Sequence, residues 1–343
     1  MVARTMQAML LRTPAPIETG PLSLEQVPVP EPGPGELLVR VTACGVCRSN
    51  LHLIEGEWIH LGVPAKSPII PGHEVVGRVE TLGAGVVGFA PGERVGITPF
   101  KRLCGKCHYC LTNREQLCQG SVEITGETVD GGYAEYMLAN AEYTYKVPDN
   151  IPDAEAAPLF CGGLTAIGSV SKIRPAPGQR VAVFGIGGVA HIVMQLVKLN
   201  GADVVAVART PRHLELARQL GAVTVIDMSK QDAGKVLRES GGVDAAICFA
   251  PSSEALGQAI HATRPGGIIV VGAYADPGTL LFGEEKTIVG SVLGTREQMR
   301  ELLRIAERGV IHPTVEKFAL ADTAAALGKL KRGELAARAV IVP

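Results

Sequence analysis

The sequence predicts an α/β protein of two domains, a β-rich first domain followed by a doubly wound parallel sheet. Three observations carry this. The chain has 343 residues, enough for two domains of ordinary size. Its first third is rich in Val, Gly and Pro, with short apolar runs cut by turn signals. From about Ala154 near-continuous apolar runs alternate with helix-period segments, the pattern of a parallel sheet covered on both faces.

In the first region the runs Leu37–Val41, Val75–Glu80 and Arg94–Ile97 read as strands. Pro32-Gly33-Pro34-Gly35, Pro71-Gly72 and Pro91-Gly92 punctuate them, and such spacing predicts a barrel-like β domain. Pro148–Pro152 reads as a boundary. Beyond it Val181–Phe184, Val204–Val207, Ala245–Phe249 and Ile268–Val271 read as buried strands. Pro211–Leu220, Ser253–Thr263 and Arg296–Gly309 read as helices, and Ala339–Val342 as a closing strand.

Composition narrows the function classes. Apolar residues make up 46% and charged residues 20%, which suits a folded globular chain. A net charge of -1 provides no field to recruit nucleic acid or an anionic membrane, and 4% aromatics leave few surfaces for base stacking. Met1–Arg12 lacks the apolar core of an export signal. Val181–Val197 is interrupted by Gly185, Gly187, Gly188, His191 and Gln195, as a strand, turn and helix would be, so no membrane span is expected. The expected compartment is the cytoplasm, where thiols stay reduced and cysteines more often bind metal than pair.

Eight cysteines are present, and four of them form Cys104-x2-Cys107-x2-Cys110-x7-Cys118. A single loop can wrap four thiolates of this spacing around a tetrahedral zinc, which leaves no open position, so the site is expected to be structural. An iron–sulfur cluster is the rival reading, and two disulfides the weaker one. Lys106 and Arg102 offset part of the negative charge. Cys47, His73 and Cys161 are scattered; two cysteines and a histidine would leave one zinc position free, the catalytic arrangement. Taken singly, each also reads as an ordinary buried residue.

Gly185-Ile186-Gly187-Gly188-Val189-Ala190 follows a predicted strand and opens a helix, the context a dinucleotide fingerprint requires. The first glycine turns the chain, the second lets backbone approach a pyrophosphate, and the third position packs helix on strand.

Taken together, these residues resemble the zinc-dependent medium-chain alcohol dehydrogenases over nearly the whole chain. The matching motifs are Gly45-Val46-Cys47-Arg48-Ser49-Asn50-Leu51-His52, Pro71-Gly72-His73-Glu74, the four-cysteine lobe, Asp130–Tyr136, Leu159-Phe160-Cys161, Gly185-x-Gly187-Gly188 and Gly290-Ser291. The resemblance implies a GroES-like catalytic domain at 1–155 and 297–343, with a structural zinc lobe at about 99–120. A Rossmann coenzyme domain would take up 156–296.

It also implies roles. Cys47, His73 and Cys161 would hold a catalytic zinc, with Glu74 able to approach it, and Cys104, Cys107, Cys110 and Cys118 a structural one. Ser49 and His52 occupy the positions of a proton relay. Arg48 and Arg338 would reach the cofactor pyrophosphate, and Val270-Val271-Gly272-Ala273 would line the nicotinamide. Trp58, Phe100, Ile167 and Leu293 would line an apolar substrate pocket. Cys44 and Cys248 are not ligands in this pattern.

Two positions depart from the common pattern. An NAD enzyme carries Asp or Glu where this chain has Ala208; Arg209-Thr210-Pro211-Arg212 follows, and a guanidinium without a carboxylate suits the 2′-phosphate of NADP. NAD is the alternative. Asn50 stands where relatives commonly have Asp; its amide can still accept a hydrogen bond but adds no negative charge, so zinc is expected to be more electrophilic or less tightly held.

The expected activity is hydride transfer between a small alcohol and NADP, giving an aldehyde or ketone, in a homo-oligomer (a tetramer or a dimer). The rival readings are a polyol or other special-alcohol dehydrogenase of the same superfamily, and a nicotinamide-binding sensor without catalysis.

Overall fold

The computed structural model describes residues 4–343. The chain divides into two compact units. One runs to Cys161 and regains Met299–Gly309 and Pro313–Pro343; the other comprises Gly162–Gln298 with Val310–His312.

The first unit is built on a seven-stranded sheet in the order Val315–Ala319, Arg338–Val342, Glu36–Gly45, Glu74–Leu82, Arg94–Ile97 and Thr144–Lys146, with Tyr136–Asn140 also on Glu36–Gly45. All pairings are antiparallel except that of Val315–Ala319 with Arg338–Val342. Leu37, Val39, Val75, Val95, Tyr133 and Ile341 lie in its core. The central strands carry apolar residues on both faces, which is why they read as continuous runs and not as alternation.

Pro148–Pro152 is a turn held by Arg94, whose guanidinium bonds the Pro148 and Ile151 carbonyls and reaches Asp153 Oδ1 at 2.6 Å. The helical turns Asp153–Ala156 and Ala157–Phe160 then pack against strands Glu36–Gly45 and Glu74–Leu82, carrying Cys161 back onto the sheet.

The second unit holds a six-stranded parallel sheet in the order Thr224–Asp227, Asp203–Ala208, Arg180–Phe184, Val243–Cys248, Thr263–Val271 and Thr287–Gly290. In chain order this is 3-2-1-4-5-6, the doubly wound Rossmann arrangement, whose strand order reverses beside Arg180–Phe184. The helices Ala190–Leu199, Pro211–Gln219 and Ser253–Ala262 follow their strands as the sequence predicts. Among the described residues no single helix is long and apolar enough to cross a membrane.

Candidate functional site

Two strand ends assemble the dispersed ligands. Glu36–Gly45 and Glu74–Leu82 are antiparallel neighbours, and Gly45 sits opposite Glu74. Cys47 is two residues past the end of one strand and His73 one residue before the start of the other, so the ladder itself brings them together. Cys161 arrives from the turn Ala157–Phe160. The ligand atoms of Cys47, His73, Glu74 and Cys161 all lie within 4.8 Å of one another.

The sulfurs of Cys47 and Cys161 are 3.8 Å apart. A tetrahedral zinc with sulfurs at about 2.3 Å needs S–S edges of about 3.8 Å, so the spacing fits. His73 Nε2 is buried without a hydrogen-bond partner, as a nitrogen reserved for a metal would be. The hydrogen bond with Cys161 holds Cys47 well below the ordinary thiol range, with the His73 charge adding to this. The same bond, with burial, pushes Cys161 well up. Burial works against a charge on His73, yet the Cys47 thiolate raises it to about 10.

Cys47 caps the helix Arg48–Glu55, and Asn50 Oδ1 accepts the Cys47 N–H at 3.2 Å. Ser49 Oγ is 3.6 Å from Cys47 Sγ. One helical turn on, His52 stands with Nδ1 2.7 Å from Glu57 and its ring 5.3 Å from that of Trp58. Arg48 donates to the Leu330 carbonyl at 3.4 Å. Arg338, which the resemblance directs to the pyrophosphate, is buried here and bonded to Glu74; its Nε and Glu74 Oε2 are both buried without a partner.

Asn50 brings no charge to the ring of His73, but another residue does: Glu127 Oε1 is 3.5 Å from its Nδ1. Asn50 accepts through Oδ1, as expected of it, but from Cys47 and Tyr133; it turns its amide nitrogen toward His73 Nδ1, at 3.3 Å. Glu127 lies in none of the motifs, and only the fold places it behind the ring.

In the lobe the four sulfurs approach one another at 3.4 Å (Cys104–Cys118), 3.6 Å (Cys107–Cys110) and 3.9 Å (Cys104–Cys110 and Cys107–Cys118). These are the edges of a metal tetrahedron and far too long for disulfides. Backbone amides of Cys110 and Gln119 hold Cys107 down to about 6, whereas burial and neighbouring thiols push Cys110 up to about 12. Cys44 and Cys248 are buried core thiols, both raised by burial.

The glycine turn lies where the parallel sheet reverses. Gly185 takes φ +84, and a Cβ on it would come within 2.6 Å of the Ala250 nitrogen, so only glycine fits. Gly187, Gly188 and Val189 lead into the helix Ala190–Leu199. Ala208 ends the next strand and is buried; Arg209 and Arg212 beyond it are exposed. The Thr210 hydroxyl is engaged by His213 Nδ1 at 2.8 Å. Val271 closes its strand, with Gly272 after it. Trp58 and Phe100 belong to the first unit, Ile167 and Leu293 to the second.

Comparison with known proteins agrees in kind. Residues 33–149 match the alcohol dehydrogenase GroES-like domain, and residues 188–308 match the zinc-binding dehydrogenase family. An alcohol dehydrogenase of Geobacillus stearothermophilus is 40% identical over 94% of this chain and 96% of its own. A probable alcohol dehydrogenase of Mycobacterium tuberculosis is 37% identical over 98% of this chain and 97% of its own. The solved alcohol dehydrogenase of Aeropyrum pernix superposes with a TM-score of 0.88 at 31% identity, covering 98% of this chain and all of its own.

Proposed function

The chain belongs to the zinc-type medium-chain alcohol dehydrogenases, and from this we propose that it interconverts an apolar alcohol with its aldehyde or ketone, using NADP and a zinc held by Cys47, His73 and Cys161. The single observation that carries the reading is the buried, unpartnered His73 Nε2 beside two sulfurs 3.8 Å apart. Glu74 is a fourth donor within reach, and the four-cysteine lobe would hold a second, structural zinc.

When bound, zinc supplies a Lewis acid that lowers the pKa of a hydroxyl or polarises a carbonyl, and the nicotinamide supplies the hydride acceptor or donor. During oxidation Ser49 Oγ would accept the hydroxyl proton as it gives up its own, from its place 3.6 Å from Cys47 Sγ. By way of the nicotinamide ribose the released proton would reach His52, whose partly exposed ring pairs with Glu57 and would pass it to solvent. In reduction the proton travels the other way. Within the first unit, Trp58 and Phe100 would give the alcohol side chain an apolar lining.

NADP is favoured over NAD by what the end of Asp203–Ala208 offers. Ala208 has no carboxylate for an adenosine ribose, and Arg209 and Arg212 are exposed with no ion pair among the described residues.

The test is hydride transfer to a panel of small aldehydes by zinc-loaded protein, with NADPH and NADH run side by side. Turnover favouring NADPH supports the whole reading. Turnover favouring NADH keeps the reaction and removes the phosphate-site argument. No turnover with either, in protein holding zinc, removes the reaction with this substrate class.

A further inference from the structure

The resemblance asks for a carboxylate at position 50, behind the His73 ring, and this chain has Asn50. Asn50 cannot do the same work. Its Oδ1 accepts the Cys47 N–H at 3.2 Å and the Tyr133 hydroxyl at 2.9 Å. A backbone N–H only donates, so the amide cannot be turned over without losing that bond. What faces His73 Nδ1 is therefore Nδ2, a donor, at 3.3 Å. A donor there favours the imidazole with its proton on Nε2, and that tautomer has no lone pair on Nε2 to offer a metal.

The missing acceptor comes from another loop. Glu127 Oε1 lies 3.5 Å from the same Nδ1, with the two side chains 10% and 1% exposed. Glu127 is absent from the cluster of ligand atoms around Cys47, so it faces the back of the ring and not the metal side. We propose that Glu127 is the positioning residue of this site, the acceptor that keeps the proton on His73 Nδ1 and leaves Nε2 free for zinc. The inference rests on the reading of His73 as a zinc ligand.

The backbone ties the two residues into one unit. Gly131 N–H donates to the Ile70 carbonyl at 2.7 Å, Gly132 N–H to Gly72 at 2.9 Å, and Tyr133 N–H to Pro71 at 2.9 Å. At Gly126 a Cβ would come within 2.6 Å of the Gly72 nitrogen, so the loop carrying Glu127 lies directly on the turn carrying His73. The Glu127 carbonyl in turn accepts the Ala65 N–H at 3.2 Å. A carboxylate held this way fixes ring orientation and tautomer together, as an outer-shell acid does for a histidine ligand.

The experiment compares intact wild type, Glu127→Gln and Asn50→Asp/Glu127→Gln. It follows zinc release to an excess of chromophoric chelator, and the visible absorption of the cobalt-substituted proteins. Glu127→Gln is isosteric and is expected to release the zinc at Cys47, His73 and Cys161 about 10–100-fold faster, with the four-cysteine zinc unchanged. Its cobalt bands should shift. In the double variant the new aspartate can keep the bonds of Oδ1 and offer its other oxygen to Nδ1, so slow release and the original bands should return. Wild-type release from Glu127→Gln overturns the inference and leaves the proposed reaction standing. Fast release that the double variant does not reverse also overturns it, because the carboxylate would then be acting through the loop alone. A wild type that holds no zinc at Cys47 overturns the reading of the site, and this inference with it.

Discussion

Arg338 and Glu74 form an ion pair closed off from solvent, Nη2 against Oε1, with side chains only 5% and 0% exposed. Strand pairing makes it: Val340 lies opposite Gly45, and Gly45 opposite Glu74. Burial pushes the Glu74 carboxyl up to about 7, while the Arg338 charge works in the other direction. Removing the guanidinium leaves an acid in a closed space where Oε2 already has no partner. Arg338→Met is therefore expected to lower stability by about 3–5 kcal/mol, the usual cost of breaking a buried pair from one side. Urea denaturation would read this as a lower midpoint at constant slope. Adding Glu74→Gln should recover much of the loss, because no buried acid without its partner then remains. An unchanged midpoint in the single variant would mean that the pair is not closed off in solution.

The lobe offers a prediction about metal removal. Cys110 is pushed up to about 12, so its thiol is protonated when no metal is bound, and a ligand thiolate must lose that proton. Zinc capture then releases protons, and a reaction that releases protons is favoured as pH rises. The affinity of the four-cysteine site for zinc is expected to climb between pH 6 and pH 8, on the order of tenfold per unit for each proton released. Competition with a chromophoric chelator at several pH values checks it. A flat profile would mean that the thiols are already ionised without metal.

Legibility in the sequence followed locality. The lobe was readable because Cys104, Cys107, Cys110 and Cys118 sit within one loop, so spacing alone limits their geometry. The sheet of the second unit was readable because strands such as Arg180–Phe184 are apolar on both faces and are separated by helix-period segments. The edge strand Thr287–Gly290 does not stand out in the sequence, because its burial is only partial and it has only four residues. Cys47, His73 and Cys161 could be joined only through the family resemblance, since the Gly45–Glu74 register that unites two of them is a long-range fact. Glu127 is not legible in the sequence at all. An acid in a Gly-Glu-Thr turn reads as solvated, and nothing in its neighbours says that the turn lies on Gly72.

The preference between cofactors is open to a change of one charge. Arg209 is exposed at the end of the strand Asp203–Ala208, so little folding energy depends on it. A charge-assisted bond to phosphate contributes about 1.5–3 kcal/mol. Arg209→Ala is expected to lower kcat/KM for NADPH by roughly 10–100-fold, and that for NADH by far less. Steady-state kinetics with both cofactors tests this. Equal losses for the two would place the guanidinium away from the 2′-phosphate.

The proposed relay can be probed through its outer end. The His52 side chain is 22% exposed, with Glu57 on Nδ1 and the Trp58 ring beside it. It is thus a group that water and small bases can reach, in contrast to the closed cluster around His73. A positioned base contributes on the order of 10²-fold or more to proton transfer. His52→Ala is expected to slow alcohol oxidation by that order while leaving zinc content unchanged, since no ligand atom is removed. Because the place vacated is open to solvent, added imidazole should restore part of the rate in proportion to its concentration. Glu57→Gln, which removes the charge held on Nδ1, should slow the reaction less than His52→Ala and gain little from imidazole. If His52→Ala runs at the wild-type rate at every pH tested, the proton leaves by another route and Ser49 must hand it to something other than this ring.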